Sequence, residues 1–463
     1  MKIEIGNKIV IHEPTEQIVK WCRNNLILDN PDYYKKARMG LWTGNTPQHI
    51  YLYEVMGDEV WLPFGCWHTI WQMCVRGVSW ESHIAPLRAV QYKSLISLYP
   101  YQEKAVSEAI RQRNGILVMP CGAGKTQCGL EIIARIGGRA LWLTHTQDLL
   151  NQSRKRAESV LECSGKAFGS ITAGKVNLGT HITFATVQTL SKLDLTEYRD
   201  QWDVIIVDEC AHCAGAPTRV TQFYKVLSNL SAKYKYGLTA TPKRADGLER
   251  SMYALLGNKI HEITRDEVAD TTCPIKVSVI PTGWMPDFDC VLMGDGTIDY
   301  NKVIDNMIHD DGRYEVVFRE IARLNEPTIV LANRVEYLQR LCESARLFGK
   351  RVRCLSSMGQ SKKAKAERKA ALEALNNGEL DCIFCTYSLA AEGLDIPNLR
   401  YVVFATPEKN DVTVTQATGR VGRKAEGKEY GTVIDFVDDF GIYKRFYKER
   451  LKVYKKLNCD IIE

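Results

Sequence analysis

The run Cys121-Gly122-Ala123-Gly124-Lys125-Thr126-Gln127 follows directly on the apolar stretch Gly115-Ile116-Leu117-Val118-Met119-Pro120. A buried strand, a glycine-rich turn and then a lysine and a hydroxyl opening a helix is how a polypeptide holds a triphosphate. Gly122 and Gly124 let backbone N–H groups curl inward toward phosphate oxygens. The helix N-terminus adds partial positive charge. Lys125 reaches the β- and γ-phosphates, and Thr126 Oγ is placed to ligate Mg²⁺. Pro120, Cys121, Ala123 and Gln127 complete the nucleotide-binding run. Met119 stands where the full pattern has its first glycine.

Downstream, the apolar strand Val204-Ile205-Ile206-Val207 ends in Asp208-Glu209, followed by Cys210-Ala211-His212. Beside a phosphate loop, two such acids divide the work of hydrolysis. Asp208 holds Mg²⁺, and Glu209 polarises the attacking water. Farther on lies Gln416-Ala417-Thr418-Gly419-Arg420-Val421-Gly422-Arg423. A helix beginning there presents both arginines on one face, three residues apart. A guanidinium brought to the γ-phosphate from a second body neutralises charge that builds during transfer, an effect of roughly 10³–10⁵ in rate.

These motifs need parallel sheets to carry them. From 96 to 270, short β-rich runs (Ile116–Met119, Ala140–Thr144, Ile182–Ala185, Val204–Val207, Tyr236–Thr239) alternate with helical periodicity. That alternation predicts a parallel sheet with covering helices. Residues 301–440 repeat it, with strands at Thr328–Leu331, Arg351–Leu355, Cys382–Cys385, Tyr401–Phe404 and Thr432–Phe436. This second lobe has no glycine-lysine loop of its own. Residues 271–300, with a strand-like piece at Lys276-Val277-Ser278-Val279-Ile280 and turn signals around it, read as a connection between lobes. Residues 1–95 read as a small α+β accessory domain with a helix at Glu16–Asn25, strands at Ile50–Val55 and Glu59–Pro63, and a turn at Gly57-Asp58. This domain holds six of the nine tryptophans, as core or as base-stacking surface. Residues 441–463 form a basic amphipathic helix: Ile442 to Leu457 carries seven lysines and arginines against one glutamate. It either docks on the body or meets nucleic acid.

Taken in order, the motifs resemble those of superfamily 2 helicases and translocases of the DExH-box type, over 100–425. The resemblance implies two tandem RecA-like lobes, ATP and Mg²⁺ as cofactors, and catalytic roles for Lys125, Asp208, Glu209, Gln416, Arg420 and Arg423. Leu98-Tyr99-Pro100-Tyr101-Gln102 is similar to the adenine-recognising motif, with Gln102 as base contact. Thr144, His145, Thr186, Gln188, Asn333, Arg334 and Thr386 fall in the motifs that grip the nucleic-acid backbone. His212, Thr239 and Thr241 fall in those that couple hydrolysis to movement. Gly393 and Asp395, in the stretch Thr386 to Pro397, lie near the nucleotide.

The XPB-like branch and the phage UvsW-type branch-migration helicases are the nearest likeness, although XPB-type members carry Arg-Glu-Asp where this chain has Arg244-Ala245-Asp246. The tract from Asn30 to Pro47 also resembles the opening of phage and bacterial helicases of this type. That branch acts on duplex or branched DNA. An RNA helicase, or an ATP-gated clamp that separates few strands, are the other functions the motifs allow.

Composition agrees with a globular protein: 45% hydrophobic and 25% charged residues over 463. A net charge of +6 is compatible with a polyanionic partner. The charged N-terminus and the lack of a long apolar run predict a cytoplasmic chain without a membrane span. Fifteen scattered cysteines, including the Cys210/Cys213 and Cys382/Cys385 pairs, read as reduced core thiols rather than zinc ligands.

Overall fold

The computed structural model describes residues 1–74, 77–120, 122–163, 166–172, 174–213, 217–240, 242, 247–294, 296–356, 362–391 and 396–462. It divides into two compact units, Met1–Thr264 and Arg265–Glu463.

The first unit is built on an eight-stranded sheet. Its spatial order is Lys175–Asn177, Phe168–Thr172, Ile182–Thr186, Ala140–Thr144, Val204–Asp208, Tyr234–Thr239, Asn114–Val118 and Lys259–Glu262. All neighbours run parallel except the edge strand Lys175–Asn177. The central strands are buried along their whole length, because helices cover both faces. Parallel pairing brings every strand's carboxyl end to one edge of the sheet. The phosphate-loop strand is not next to the Asp208 strand; Tyr234–Thr239 lies between them, with Thr239 opposite Val118 and Leu238 opposite Asp208.

Residues 1–95 form a five-stranded sheet of their own, ordered Glu54–Met56, Glu59–Pro63, Lys8–His12, Lys2–Ile5 and Ser79–Ser82. The helix spans Glu16–Asn25, with Thr15 Oγ1 accepting from the Ile18 amide as N-cap. The run expected as one strand over 50–55 is two: His49–Tyr51 pairs with Ile27–Asp29, and Glu54–Met56 turns at Gly57 onto Glu59–Pro63. The core of this module is Ile3, Ile9, Ile11, Ile18, Leu28, Leu52 and Leu62, completed by Val220, Leu248 and Ala254 from the part of the first unit that carries the eight-stranded sheet. Trp21, Trp67 and Trp80 pack at its margin, while Trp42 and Trp71 are exposed. Aliphatic residues, not the tryptophans, make this core.

The second unit has a seven-stranded, all-parallel sheet: Val352–Cys354, Cys382–Thr386, Thr328–Ala332, Tyr401–Phe404, Gly431–Val437, Ile275–Pro281 and Asp460–Ile462. This corrects the expectation of a connection over 271–300. Ile275–Pro281 is an interior strand, in register with Gly431–Val437. Its partner lies more than 150 residues away in the chain, so no local pattern announces the pairing.

The basic C-terminal helix, Gly441–Lys456, docks on the body through Tyr443, Arg450, Val453 and Tyr454, and the chain then returns as the edge strand Asp460–Ile462. Arg450 is not a surface cation. It pairs with Asp435 at 2.8 Å with both side chains 1% exposed, and Tyr454 Oη donates to the same carboxylate. Cys210, Cys382 and Cys385 are buried thiols outside any disulfide. Burial pushes the Cys385 thiol up to about 12. No helix of the described residues is long and apolar enough to cross a membrane.

Candidate active site

The strand Asn114–Val118 delivers the chain to the sheet's carboxyl edge, where the Met119 amide donates to the Thr239 carbonyl at 2.8 Å. The backbone then turns through Gly122 at φ +88° and Gly124 at φ +82° before the helix Lys125–Ile136 starts. Both values lie in the left-handed region that glycine enters without strain. At Gly124 the constraint is also steric: a Cβ there would fall 2.3 Å from Gln102 Nε2. Gly122 is exposed and Gly124, Lys125, Thr126 and Gln127 are half-buried, so the loop is open to a ligand. Cys121 lies outside the described residues.

Gln102 is 1% exposed. Its Nε2 donates to the Ala123 carbonyl at 2.8 Å, and its Oε1 accepts from the Tyr99 amide at 2.9 Å. The expected adenine contact is thus a brace under the phosphate loop. Both ends of its amide are engaged by backbone, which is what a deeply buried amide requires.

Asp208 ends the central strand, 4% exposed. Burial, reinforced by the neighbouring Glu209, raises its carboxyl well above the usual carboxylate range. Ser153, on the helix Gln147–Val160, donates to its Oδ2 at 3.3 Å, and the Glu209 amide donates to its Oδ1 at 3.0 Å. Glu209 has φ +49°, a left-handed backbone that costs a non-glycine residue of order 1–3 kcal/mol. That turn points its carboxylate at the phosphate loop, where Lys125 Nζ stands 3.3 Å from Glu209 Oε1. Ser153 gave no signal in the sequence: its partner is 55 residues distant and its own helix carries no motif.

These residues suit a nucleotide and a divalent cation. The loop, exposed at Gly122 and half-buried from Gly124 to Gln127, leads into the N-terminus of the helix Lys125–Ile136, a place that favours phosphate. A buried carboxylate held high by desolvation is a group that a cation would relieve, and the Thr126 hydroxyl is the second oxygen donor.

The strand ends beside this site hold their own loops. Thr144 is fully buried and its hydroxyl donates to the Thr146 carbonyl at 2.8 Å, so it shapes the turn rather than facing a nucleic acid as expected. Thr186 Oγ1 caps the following helix at the Thr189 amide, 3.3 Å away. Gln188 Nε2 donates to the His145 carbonyl at 3.0 Å, tying the two loops together. Thr239 is fully buried. His212 lies in the short helix Cys210–Cys213, and Thr241 and the Arg244–Asp246 stretch fall outside the described residues.

In the second unit, Thr386 ends its strand and receives the Leu389 amide on Oγ1, while its own amide donates to Ser356 Oγ at 2.7 Å. Asn333 bonds the Pro407 carbonyl through Nδ2 at 3.1 Å, and Arg334 reaches Asp305 at 3.2 Å. Gly393 and Asp395 fall outside the described residues. The helix Asp411–Val421 carries Gln416 and, in its last turn, Arg420, whose Nη2 donates to the Ala390 carbonyl at 2.6 Å. Arg423 is not on that helix. The helix stops at Val421, the Gly422 carbonyl accepts from the Cys273 amide at 2.8 Å, and Arg423 forms a bridge with Thr272. The two arginines therefore do not share one helical face, because strand pairing takes over where the helix would have continued.

Two family models match the chain in tandem: the type III restriction enzyme res subunit over 95–244 and the helicase conserved C-terminal domain over 312–425. Together they cover more than half of it. A protein of Acanthamoeba polyphaga mimivirus, provisionally named ATP-dependent RNA helicase L396, is 25% identical over 381 residues, which is 79% of this chain and 69% of that one. The DNA 3'-5' helicase XPB of Kineococcus radiotolerans is 25% identical over 376 residues, 76% of this chain and 59% of the relative. The chain thus spans about three-fifths of the XPB relative's length. Among solved structures, S. cerevisiae Dbp5 bound to RNA and ADP BeF3 covers 79% of this chain and 90% of its own, at 16% identity and a TM-score of 0.56, a likeness of fold. A res-type ATPase region followed by a helicase C-terminal region is the make-up of one group of ATP-driven nucleic-acid motors, and the chain belongs to it: the superfamily 2 helicases, in the company of XPB.

Proposed function

We propose that the chain couples ATP hydrolysis to movement along DNA and thereby remodels duplex or branched DNA such as forks, D-loops and four-way junctions. The observation that carries this is the meeting of Lys125 and Glu209 at 3.3 Å beside buried Asp208, at the carboxyl edge of a parallel sheet. DNA is favoured by the XPB relative, which is named a DNA helicase.

The roles follow from the chemistry of each group. Lys125 and the loop amides hold the triphosphate. Thr126 and Asp208 would hold Mg²⁺, whose charge offsets that of the phosphates. Glu209 takes the proton of the attacking water. Arg420 and Arg423, from the second unit, neutralise the charge that develops on the γ-phosphate, with Gln416 beside them. Phosphate-backbone contacts come from the loops at His145, Thr186, Gln188, Asn333, Arg334 and Thr386, which grip without reading bases. His212, Thr239 and Thr241 link hydrolysis to movement. We place this work in the cytoplasm, where thiols such as Cys66 and Cys385 stay reduced.

The test is hydrolysis measured with single-stranded, duplex, forked and four-way DNA and with matched RNA, at several salt concentrations. Strongest stimulation by forked or four-way DNA is expected. Stimulation by RNA alone would overturn the DNA assignment, and hydrolysis with no strand separation or triplex displacement would identify a clamp.

A further inference from the structure

The antiparallel pair Ile27–Asp29 and His49–Tyr51 is joined by a long excursion over 30–48 rather than by a tight turn. Its neck is closed by Asn30, 3% exposed, whose amide donates to the Gln48 carbonyl at 3.0 Å and whose Nδ2 donates to the Pro47 carbonyl at 2.7 Å. Lys36 Nζ ties the two limbs together at Thr46 Oγ1, 2.7 Å away. The helix inside it, Pro31–Arg38, buries none of its residues. Lys35 and Arg38 are exposed and make no ion pair among the described residues.

Beyond the helix, Trp42 is 79% exposed. It is nevertheless held in place. A Cβ on Gly44 would fall 2.0 Å from Cζ2 and 2.2 Å from both Cε2 and Cη2 of the indole. Three ring atoms at nearly equal distance put one face of the ring over Gly44, and the other face is left to solvent. A large aromatic ring supported from behind by glycine, a few residues along the chain from the exposed cations Lys35 and Arg38, suits something flat and anionic. Bases offer the flat face and phosphates the charge. The helix before it carries Lys35, Lys36 and Arg38, a basic tract whose charge matches a phosphate backbone.

We propose that residues 30–48 form an aromatic and cationic platform that stacks one base of an unpaired nucleic-acid strand on Trp42 while Lys35, Lys36 and Arg38 take its phosphates. This rests on the nucleic-acid reading of the motor and adds to it a contact outside the helicase motifs.

The experiment measures binding of the full chain to a fluorescein-labelled oligothymidylate across a salt series, with DNA-stimulated hydrolysis followed in parallel. Trp42→Ala is expected to weaken binding about tenfold with the salt slope unchanged. Trp42→Phe should keep most of the affinity. Gly44→Ala, whose backbone tolerates a side chain, should weaken binding by pushing the ring off its support without removing any aromatic or charged group. Lys35→Gln with Arg38→Gln should lower the salt slope by about one per charge removed. Basal hydrolysis should stay unchanged in all four. Wild-type affinity in both Trp42→Ala and Gly44→Ala would overturn the platform, as would a Trp42-dependent binding to phosphatidylcholine–phosphatidylserine vesicles with no change toward the oligonucleotide. Trp42-dependent binding in a wild type whose hydrolysis ignores DNA would leave the platform standing and refute the motor.

Discussion

Lys125 Nζ and Glu209 Oε1, 3.3 Å apart and both largely shielded, join the phosphate loop to the end of the acidic strand across an intervening strand. Each group serves as the other's counter-charge until a triphosphate arrives to compete for the lysine. Removing one partner therefore has a different effect from removing the other. Lys125→Ala should abolish measurable nucleotide affinity. Glu209→Gln should retain or tighten nucleotide binding and lower kcat by roughly 10²–10⁴-fold, since the group removed is the proposed base. Equilibrium binding of a fluorescent ATP analogue beside steady-state hydrolysis checks both. Normal turnover in Glu209→Gln would remove that residue from the chemistry.

Gln102 holds the loop from beneath. Gln102→Ala leaves the Ala123 carbonyl and the Tyr99 amide without their partner in a buried place. Each lost buried hydrogen bond costs about 1–3 kcal/mol. The expected outcome is a lowered Tm together with a raised KM for ATP, with kcat at saturation changed least. A Tm and KM equal to those of the wild type would show that the brace is dispensable.

Arg313 and Asp438 form a fully buried pair in the second unit, with Nε to Oδ1 at 2.7 Å and Nη2 to Oδ2 at 3.2 Å, and Tyr337 Oη at 3.2 Å from Nη1. Arg313→Met strands a buried carboxylate and should destabilise this unit by about 3–5 kcal/mol. Arg313→Met combined with Asp438→Leu should recover much of that loss, because the uncompensated charge is gone. Denaturant unfolding of the single and double variants measures the difference.

Lys235 is fully buried, with Nζ donating to the Leu227 and Leu230 carbonyls at 3.1 and 2.8 Å and lying 4.8 Å from the centre of the Phe64 ring. Burial lowers its pKa from 10.5 to about 7. The unfolded chain therefore holds one more proton than the folded chain between those two values. The stability contributed at this position is complete above 10.5 and falls with decreasing pH down to about 7, by up to about 1.4 kcal/mol per pH unit. The wild type minus Lys235→Met difference in unfolding free energy should thus grow as pH is raised from 7 to 9.5. A difference independent of pH would mean that Lys235 stays charged inside the fold.

Thr144→Val tests the corrected role of a motif residue. The hydroxyl serves the Thr146 carbonyl inside a fully buried position. A loss of about 1 kcal/mol in stability is expected, with oligonucleotide affinity at saturating fold unchanged. A large drop in affinity without a change in Tm would return Thr144 to the nucleic-acid surface.

The candidate phosphate loop and acidic strand end of the first unit were legible in the chain because each is a local run. Gly122, Gly124, Lys125 and Thr126 act through consecutive backbone and one helix start, and Asp208-Glu209 end one apolar run. Strand positions were legible for the same reason: a buried parallel strand is a short apolar run between turns. What the sequence could not contain was who faces whom. The brace of Gln102 on Ala123, the donation of Ser153 to Asp208, the strand Ile275–Pro281 lying beside Gly431–Val437 and the end of the helix before Arg423 all join residues brought close only by the finished sheet. The burial of Arg450 against Asp435 belongs there too. Periodicity reports what one segment prefers, and motifs report what consecutive atoms can hold. Exposure and long-range hydrogen bonding depend on how all segments pack at once, so only the tertiary structure decided them.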